Sequence, residues 1–346
     1  MAFIDGLLGH RLTNRDLLQL SFYDIDEKNK CGGGVNWIKA GWAARWLGRP
    51  QGLVGLDLTA QSIRLLVLEQ GSSQATRCVH AVELPLPRGA VNGLVLEGFD
   101  LIADTLAAKV QELGLEGRAV AMALPAQGVR EMSWSAWDGP PQLWHEAVVY
   151  KHVQQTMQLP PEPWSLDFGL DHASPVQQAW AVVARESVVQ ERFELAEQVG
   201  LVPTVLDVDR FALDRLLNHT CQQVNTWPSV WMMGRDGVLS VHLALGPDEV
   251  SSASAYAMAG ESALSQFKVL MAKVLQGYDA TQWQQEPVAI RFTGVDDLHE
   301  GLMEMLQTYW PQAYEVQSPC TSFLESVDSP SAFAVALGLA LHPGWR

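Results

Sequence analysis

The sequence predicts an α/β protein of two lobes, each a mixed sheet with a helical layer, arranged around a cleft; by pattern alone this competes with other α/β arrangements. Three observations carry that expectation. The chain has 346 residues, 48% of them hydrophobic, more than a single small core needs. From Gly52 onward three β-rich runs, 52–58, 63–69 and 77–84, follow one another across short turns, the signature of a meander. The same opening then recurs, with runs 229–233 and 238–244 about a Gly-Arg-Asp-Gly turn. No residue-level repeat accompanies it; the duplication is one of pattern.

Taken in order, residues 1–34 are mixed and end in Cys-Gly-Gly-Gly, a break in regular structure. VNWIKAGWAARWLGRP follows, residues 35–50, with three basic and no acidic side chains. At 100° per residue Val35, Ile38, Trp42 and Trp46 share a face edged by Lys39, Arg45 and Arg49. We expect a helix docked through its tryptophans, with peripheral membrane contact as the other reading of this pattern. After the meander, 99–113 has apolar residues at helical spacing with Gly114 as the stop. A buried strand at 119–124 ends at Pro125. A helix at 143–157, strands near 164–168 and 178–184, a helix at 186–199 and a strand at 204–208 complete the first half. In the second half, helices are expected at 211–219, 261–275, 298–309 and 332–341, with a strand at 288–292.

Composition narrows the function. A net charge of −16, from 39 acidic and 23 basic residues, disfavours nonspecific binding to nucleic acid or bare anionic lipid. Cys31, Cys78, Cys221 and Cys320 are widely spaced, which reads as reduced thiols and not as a disulfide frame or zinc site. No signal-peptide pattern is visible and the longest clean apolar run, 333–341, is half a spanning helix; a cytoplasmic location is expected. No GxSxG, HExxH or GxxxxGK[ST] occurs. His145 and His152 lie seven apart, where a helical metal pair wants three or four. Asp207 and Asp209 share a face, and Asp209 before FALDRLL suits a helix N-cap.

Several segments, in order, resemble a known family. VGLDLTAQSIRLLVLE is similar to the first phosphate hairpin of actin-like proteins. AVNGLVLEGFDLIADTLAAKV with VAMALPAQGV, then LDFGL, AWAVVARESVV, GLVPTVLDVDRFALDRLL and AFAVALGLAL resemble PilM, the cytoplasmic actin-like protein of type IV pilus machines. The resemblance covers about residues 52–342. It implies an actin-like ATPase fold, duplicated ribonuclease-H-like lobes with an inserted small α+β subdomain as in FtsA. The expected division is an N-terminal extension 1–50, a first lobe 51–131, the insertion 132–206, and a second lobe with closing helix 207–346. It also implies a scaffold, associated with the inner membrane through the cytoplasmic tail of a PilN-like protein bound between the insertion and the first lobe. A working actin-like ATPase and a GspL-like type II secretion component are the alternatives.

Two candidate sites follow. The nucleotide pattern of that family asks for Asp-hydrophobic-Gly-Ser; here Asp57 and Leu58 are followed by Thr59 and Ala60. Thr59 and Ser62 are the hydroxyls that remain. In the second hairpin Gly234 is kept but the aspartate position falls on Met232, whose thioether cannot replace a hard oxygen ligand. At the adenosine turn Gly294 is kept and Val295 stands at the second glycine. ATP with magnesium is therefore expected to bind weakly or not at all. For the partner tail, Trp134, Trp137, Trp144 and Trp164, among prolines 140, 141, 160, 161 and 163, are the candidates. Aromatic grooves suit extended peptides, although most of these rings are expected to fill the insertion's own core.

Overall fold

The computed structural model describes residues 53–342 apart from 71–75, 136, 138–143, 172–177, 247–248, 277, 279–285, 322, 325–326 and 328. The basic segment at 35–50 lies outside the described residues.

β1 (Val54–Leu58), β2 (Ser62–Gln70) and β3 (Thr76–Pro85) form an antiparallel meander. Helix α1 (Phe99–Glu112) returns the chain, so that β4 (Ala119–Leu124) lies parallel to β1. The chain then leaves the sheet through β5 (Val129–Ser135), α2 (Glu146–Thr156), β6 (Trp164–Asp171) and β7 (Gln178–Arg185), and re-enters through α3 (Glu186–Gln198) and β8 (Val202–Val208). The first sheet has the order β3-β2-β1-β4-β8.

After α4 (Asp209–Val224) the plan repeats. β9 (Ser229–Arg235), β10 (Val238–Gly246) and β11 (Glu249–Tyr256) form the second meander. Then come α5 (Ala263–Val274), β12 (Ala289–Thr293), α6 (His299–Tyr309), the short β13 (Tyr314–Glu315) and α7 (Ala334–Ala340). The second sheet, β11-β10-β9-β12-β13, has the same order and the same strand directions as the first. The sequence reading missed β5 and β11. Arg130 and Glu131 interrupt the apolar pattern of one, and EVSSASAY is a polar edge strand.

Both faces of each five-stranded sheet are covered, which is why LLVL and VWMM read as unbroken apolar runs. In the first lobe Ile63, Leu65 and Val67 face α1 and α3, while Leu66 and Leu68 face α4 and α7. In the second, Val230 and Met232 face α5 and α6, while Trp231 and Met233 face inward. The inner faces share one core through the pair α4 and α7, which joins the lobes. Close approach needs glycine: a Cβ on Gly338 would overlap the Ala212 carbonyl of α4, and one on Gly55 the Ala336 carbonyl of α7.

The insertion forms its own antiparallel sheet, β5-β7-β6, with α2 on one face. Its far boundary differs from the expected 206. The insertion's sheet ends at Arg185, because Val188, Val189, Leu195 and Ala196 of α3 bury into the first-lobe core and β8 pairs with β4.

Gly55→Ala would push the side chain into α7. The expected result is a loss of about 1–3 kcal/mol, as for other overpacked sites, read as a lower midpoint of chemical denaturation.

Candidate functional site

The cleft between the two hairpin turns holds the first candidate site. Asp57 ends β1 on the inward-facing side and is 3% exposed. A buried carboxylate needs a counter-charge. Two arginines supply it: Arg235, which closes β9 in the other lobe and makes a short ion pair with Asp57, and Arg64 at 3.8 Å, its cross-strand neighbour in β2. The network continues. Arg64 Nη1 donates to Asp236 Oδ2 at 3.0 Å and its Nε to Glu83 Oε1 at 2.9 Å, while Arg235 Nε donates to Asp236 at 2.8 Å. Asp57, Arg64 and Glu83 belong to the first lobe, Arg235 and Asp236 to the second, so the pairs tie the lobes across the cleft. Burial, opposed by Arg235 and then Arg64, leaves the Asp57 carboxyl above its ordinary range. At Asp236 burial also pushes upward, but Arg235 and Arg64 outweigh it and hold the carboxyl low.

The turn after Asp57 is closed on itself. Thr59 Oγ1 accepts the Gln61 and Ser62 N–H groups at 3.2 and 3.0 Å. Its own N–H donates to Ser62 O at 2.9 Å, and Ser62 Oγ donates to Glu83 at 2.7 Å. Thr59 has no positive φ; its side chain takes the N–H groups that a glycine-serine turn would present to phosphate oxygens. Gly234 and Gly294 do come together. Gly294, at φ +63°, has no room for a Cβ against the Gly234 carbonyl, which is why both are glycine. Met232 is reassigned: it is fully buried under α5 and α6 and does not face the cleft. Strand alternation puts Arg235 there instead. Sequence reasoning missed Arg64 and Arg235, although Arg64 lies directly opposite Asp57 in the hairpin register. The residues in this cleft do not fit a magnesium-bound triphosphate: its carboxylate is paired and its turn donors are taken.

The aspartate pair is also resolved. Asp207 is buried and bonded to Arg215 Nη2 at 2.7 Å, whose Nη1 donates to Gly338 O. Asp209 is not the N-cap; that residue is Val208. Asp209 is the first helical residue, and its Oδ1 accepts the Ala126 N–H at 2.9 Å from across the chain. Burial raises its carboxyl to about 6.

The four tryptophans are gathered on one face, and it is not the face toward the first lobe. Even-numbered residues of β5 and β6 point to α2: Met132, Trp134, Trp164, Leu166 and Phe168 pack with Val149 and Val153. Trp134, Trp137 and Trp144 stand 5.3–6.3 Å apart between ring centroids. His152 sits 5.3 Å from Trp134 and 5.2 Å from Trp137, a packing role. These rings are the insertion's core, and their assignment to a groove is corrected.

A small pocket lies on the opposite face. Val129, Ser165, Asp167 and Val182 of the insertion's sheet look toward Leu124 and Leu206 at the carboxyl ends of β4 and β8. Trp180 extends this face against Val208 and Phe211. Asp167 is its one carboxyl without a salt bridge among the described residues, and burial pushes it up to about 7. The alternation in WSLDFGLD carried this information: Trp164, Leu166 and Phe168 to one side, Ser165 and Asp167 to the other.

A sequence model of the family described as type IV pilus assembly protein PilM matches residues 55–228. Among curated proteins none matches. Among solved structures, one titled PilM-PilN type IV pilus biogenesis complex superposes with a TM-score of 0.60 at 19% identity, covering 85% of this chain and 98% of that one. A Bacteroides thetaiotaomicron protein with an actin-like ATPase fold gives a TM-score of 0.47 at 9% identity, covering 82% and 94%. The cytoplasmic domain of EpsL, an inner-membrane component of the type II secretion system of Vibrio cholerae, gives 0.40 at 12%, covering 69% and 82%. The fold is actin-like.

Arg235→Met would leave Asp57 buried with only Arg64 nearby. Up to about 3–5 kcal/mol of stability should be lost, as when one partner of a buried pair is removed. The double variant Asp57→Asn with Arg235→Met should recover most of it. Denaturant unfolding of the three proteins measures both.

Proposed function

The chain belongs to the type IV pilus assembly protein PilM family, and from that premise we propose that it is a nucleotide-independent scaffold. It recruits the cytoplasmic tail of a PilN-like inner-membrane protein into the groove between the insertion and the first lobe. That tail holds it at the membrane. No helix among the described residues is long and apolar enough to cross a membrane.

The observation that carries the first part is the Arg235–Asp57 pair. In a magnesium-nucleotide site the carboxylate faces the hydrated metal, and here a side chain of the opposite lobe supplies the positive charge permanently. The lobes are then held together by the protein's own ions, a sensible design for a scaffold that must keep one shape. The second part is supported by the solved PilM-PilN complex to which the chain is similar. The apolar wall formed by Val129, Val182, Leu124 and Leu206 agrees with it, since an extended peptide binds by filling such a wall with alternate side chains.

A working ATPase is the second reading, favoured by the retained Gly294 at positive φ against Gly234. The two separate by melting. A micromolar site would stabilise the fold by about 4 kcal/mol at millimolar magnesium-ATP; the expected result is no rise in Tm, and a clear rise would return the protein to the ATPases. For the groove, Val182→Arg should abolish capture of the PilN-like tail in a pull-down. Trp134→Ala, by contrast, should lower stability by about 3 kcal/mol while a folded fraction still captures the tail. Capture by Val182→Arg at the wild-type level would sink the groove assignment.

A further inference from the structure

The groove contains two carboxyls in opposite states. Asp207 is compensated: Arg215 donates to it at 2.7 Å and the Val208 N–H at 2.7 Å. Asp167 is not. Its Oδ1 accepts the N–H of Phe168 at 2.9 Å, and among the described residues no cation pairs with it. The walls around it, Val129, Val182, Ala184 and Leu206, are apolar. Asp167 is half-buried against them, and a carboxylate held there is less well hydrated than one in open water unless something else neutralises it.

Its local bond does not account for it. Asparagine would accept the same Phe168 N–H and bury no charge, so the fold alone has no need of an acid at this position. The groove also belongs to a chain with a net charge of −16, and such a field favours the approach of a positive segment.

We propose that Asp167 is the specificity-determining residue of the groove and that it receives a protonated nitrogen of the bound tail. That nitrogen is either a lysine or arginine side chain or a free N-terminal amine, and neighbouring apolar side chains of the tail fill the wall beside it. Ser165, two residues away on the same strand face, flanks the same position. The proposal rests on the groove being the tail site, and it adds the charge that the tail must carry.

The test is calorimetric titration of the full chain with a synthetic peptide copying the cytoplasmic tail of the PilN-like protein. Three forms are used: unmodified, N-acetylated, and with its basic residues replaced by citrulline or norleucine. A charge-assisted hydrogen bond predicts that Asp167→Asn weakens the unmodified peptide about tenfold or more. One of the two modified peptides should lose as much against wild type and no more against Asp167→Asn, as coupled partners do; which one loses identifies the nitrogen. Circular dichroism should show Asp167→Asn at least as stable as wild type, and its unfolding would mean a structural role and overturn the proposal. Unmodified peptide that binds wild type, with neither modification weakening it, overturns the proposal on the native protein alone. No binding to wild type overturns the groove reading as well, whereas equal binding to both proteins overturns only the role of Asp167.

Discussion

Asp57 is a carboxylate that the fold buries at the end of its first strand, and everything in the cleft follows from the need to neutralise it. An actin-like framework places this position between two lobes, where a diffusible cation is one answer. This chain uses guanidinium groups from both sides. Because Arg235 comes from the second lobe and Arg64 from the first, neutralising the charge also ties the lobes together. The shared core around α4 and α7 aligns the two sheets closely enough for these pairs to form. A second polar chain runs beside the first: Arg210 joins Glu131 of the insertion to Ser252 of the second lobe, and Ser252 continues to Asp214 and His242. The insertion, and with it the groove, is therefore linked to both lobes.

Alternation along three strands divides the insertion into a side packed under α2 and a side turned toward the first lobe. Trp134, Trp137, Trp144 and Trp164 fill the space under α2, where a small sheet with one helix has few other residues to build a core, while Trp180 lies on the other face. The opposite face carries Val129, Glu131, Ser165, Asp167, Trp180 and Val182, and a pocket lies between it and the ends of β4 and β8.

Much of the fold was legible in the sequence because buried strands and amphipathic helices carry their own periodicity. The meanders, the crossover helices and the closing helix were all readable, and so was the order that points to the family. β11 escaped because its serines neither alternate nor concentrate apolar area. The end of the insertion escaped because α3 and β8 look the same whichever sheet they join. In the cleft, Asp57, Thr59, Gly234 and Gly294 were singled out by the resemblance to the family's nucleotide pattern. Arg64 and Arg235 were not, since an arginine beside a hairpin turn usually reads as a solvated charge.

By itself the sequence determined the class of fold, its duplication in pattern and the Thr59-Ala60 turn after Asp57, because each depends on residues close together in the chain. Only the tertiary structure decided what neutralises Asp57, which face Trp134, Trp137, Trp144 and Trp164 occupy, and that Asp167 has no paired cation among the described residues. Those depend on pairs such as Asp57 with Arg235, 178 positions apart. Contacts of that kind leave no periodic trace, and they exist only once two sheets have been packed against the same pair of helices.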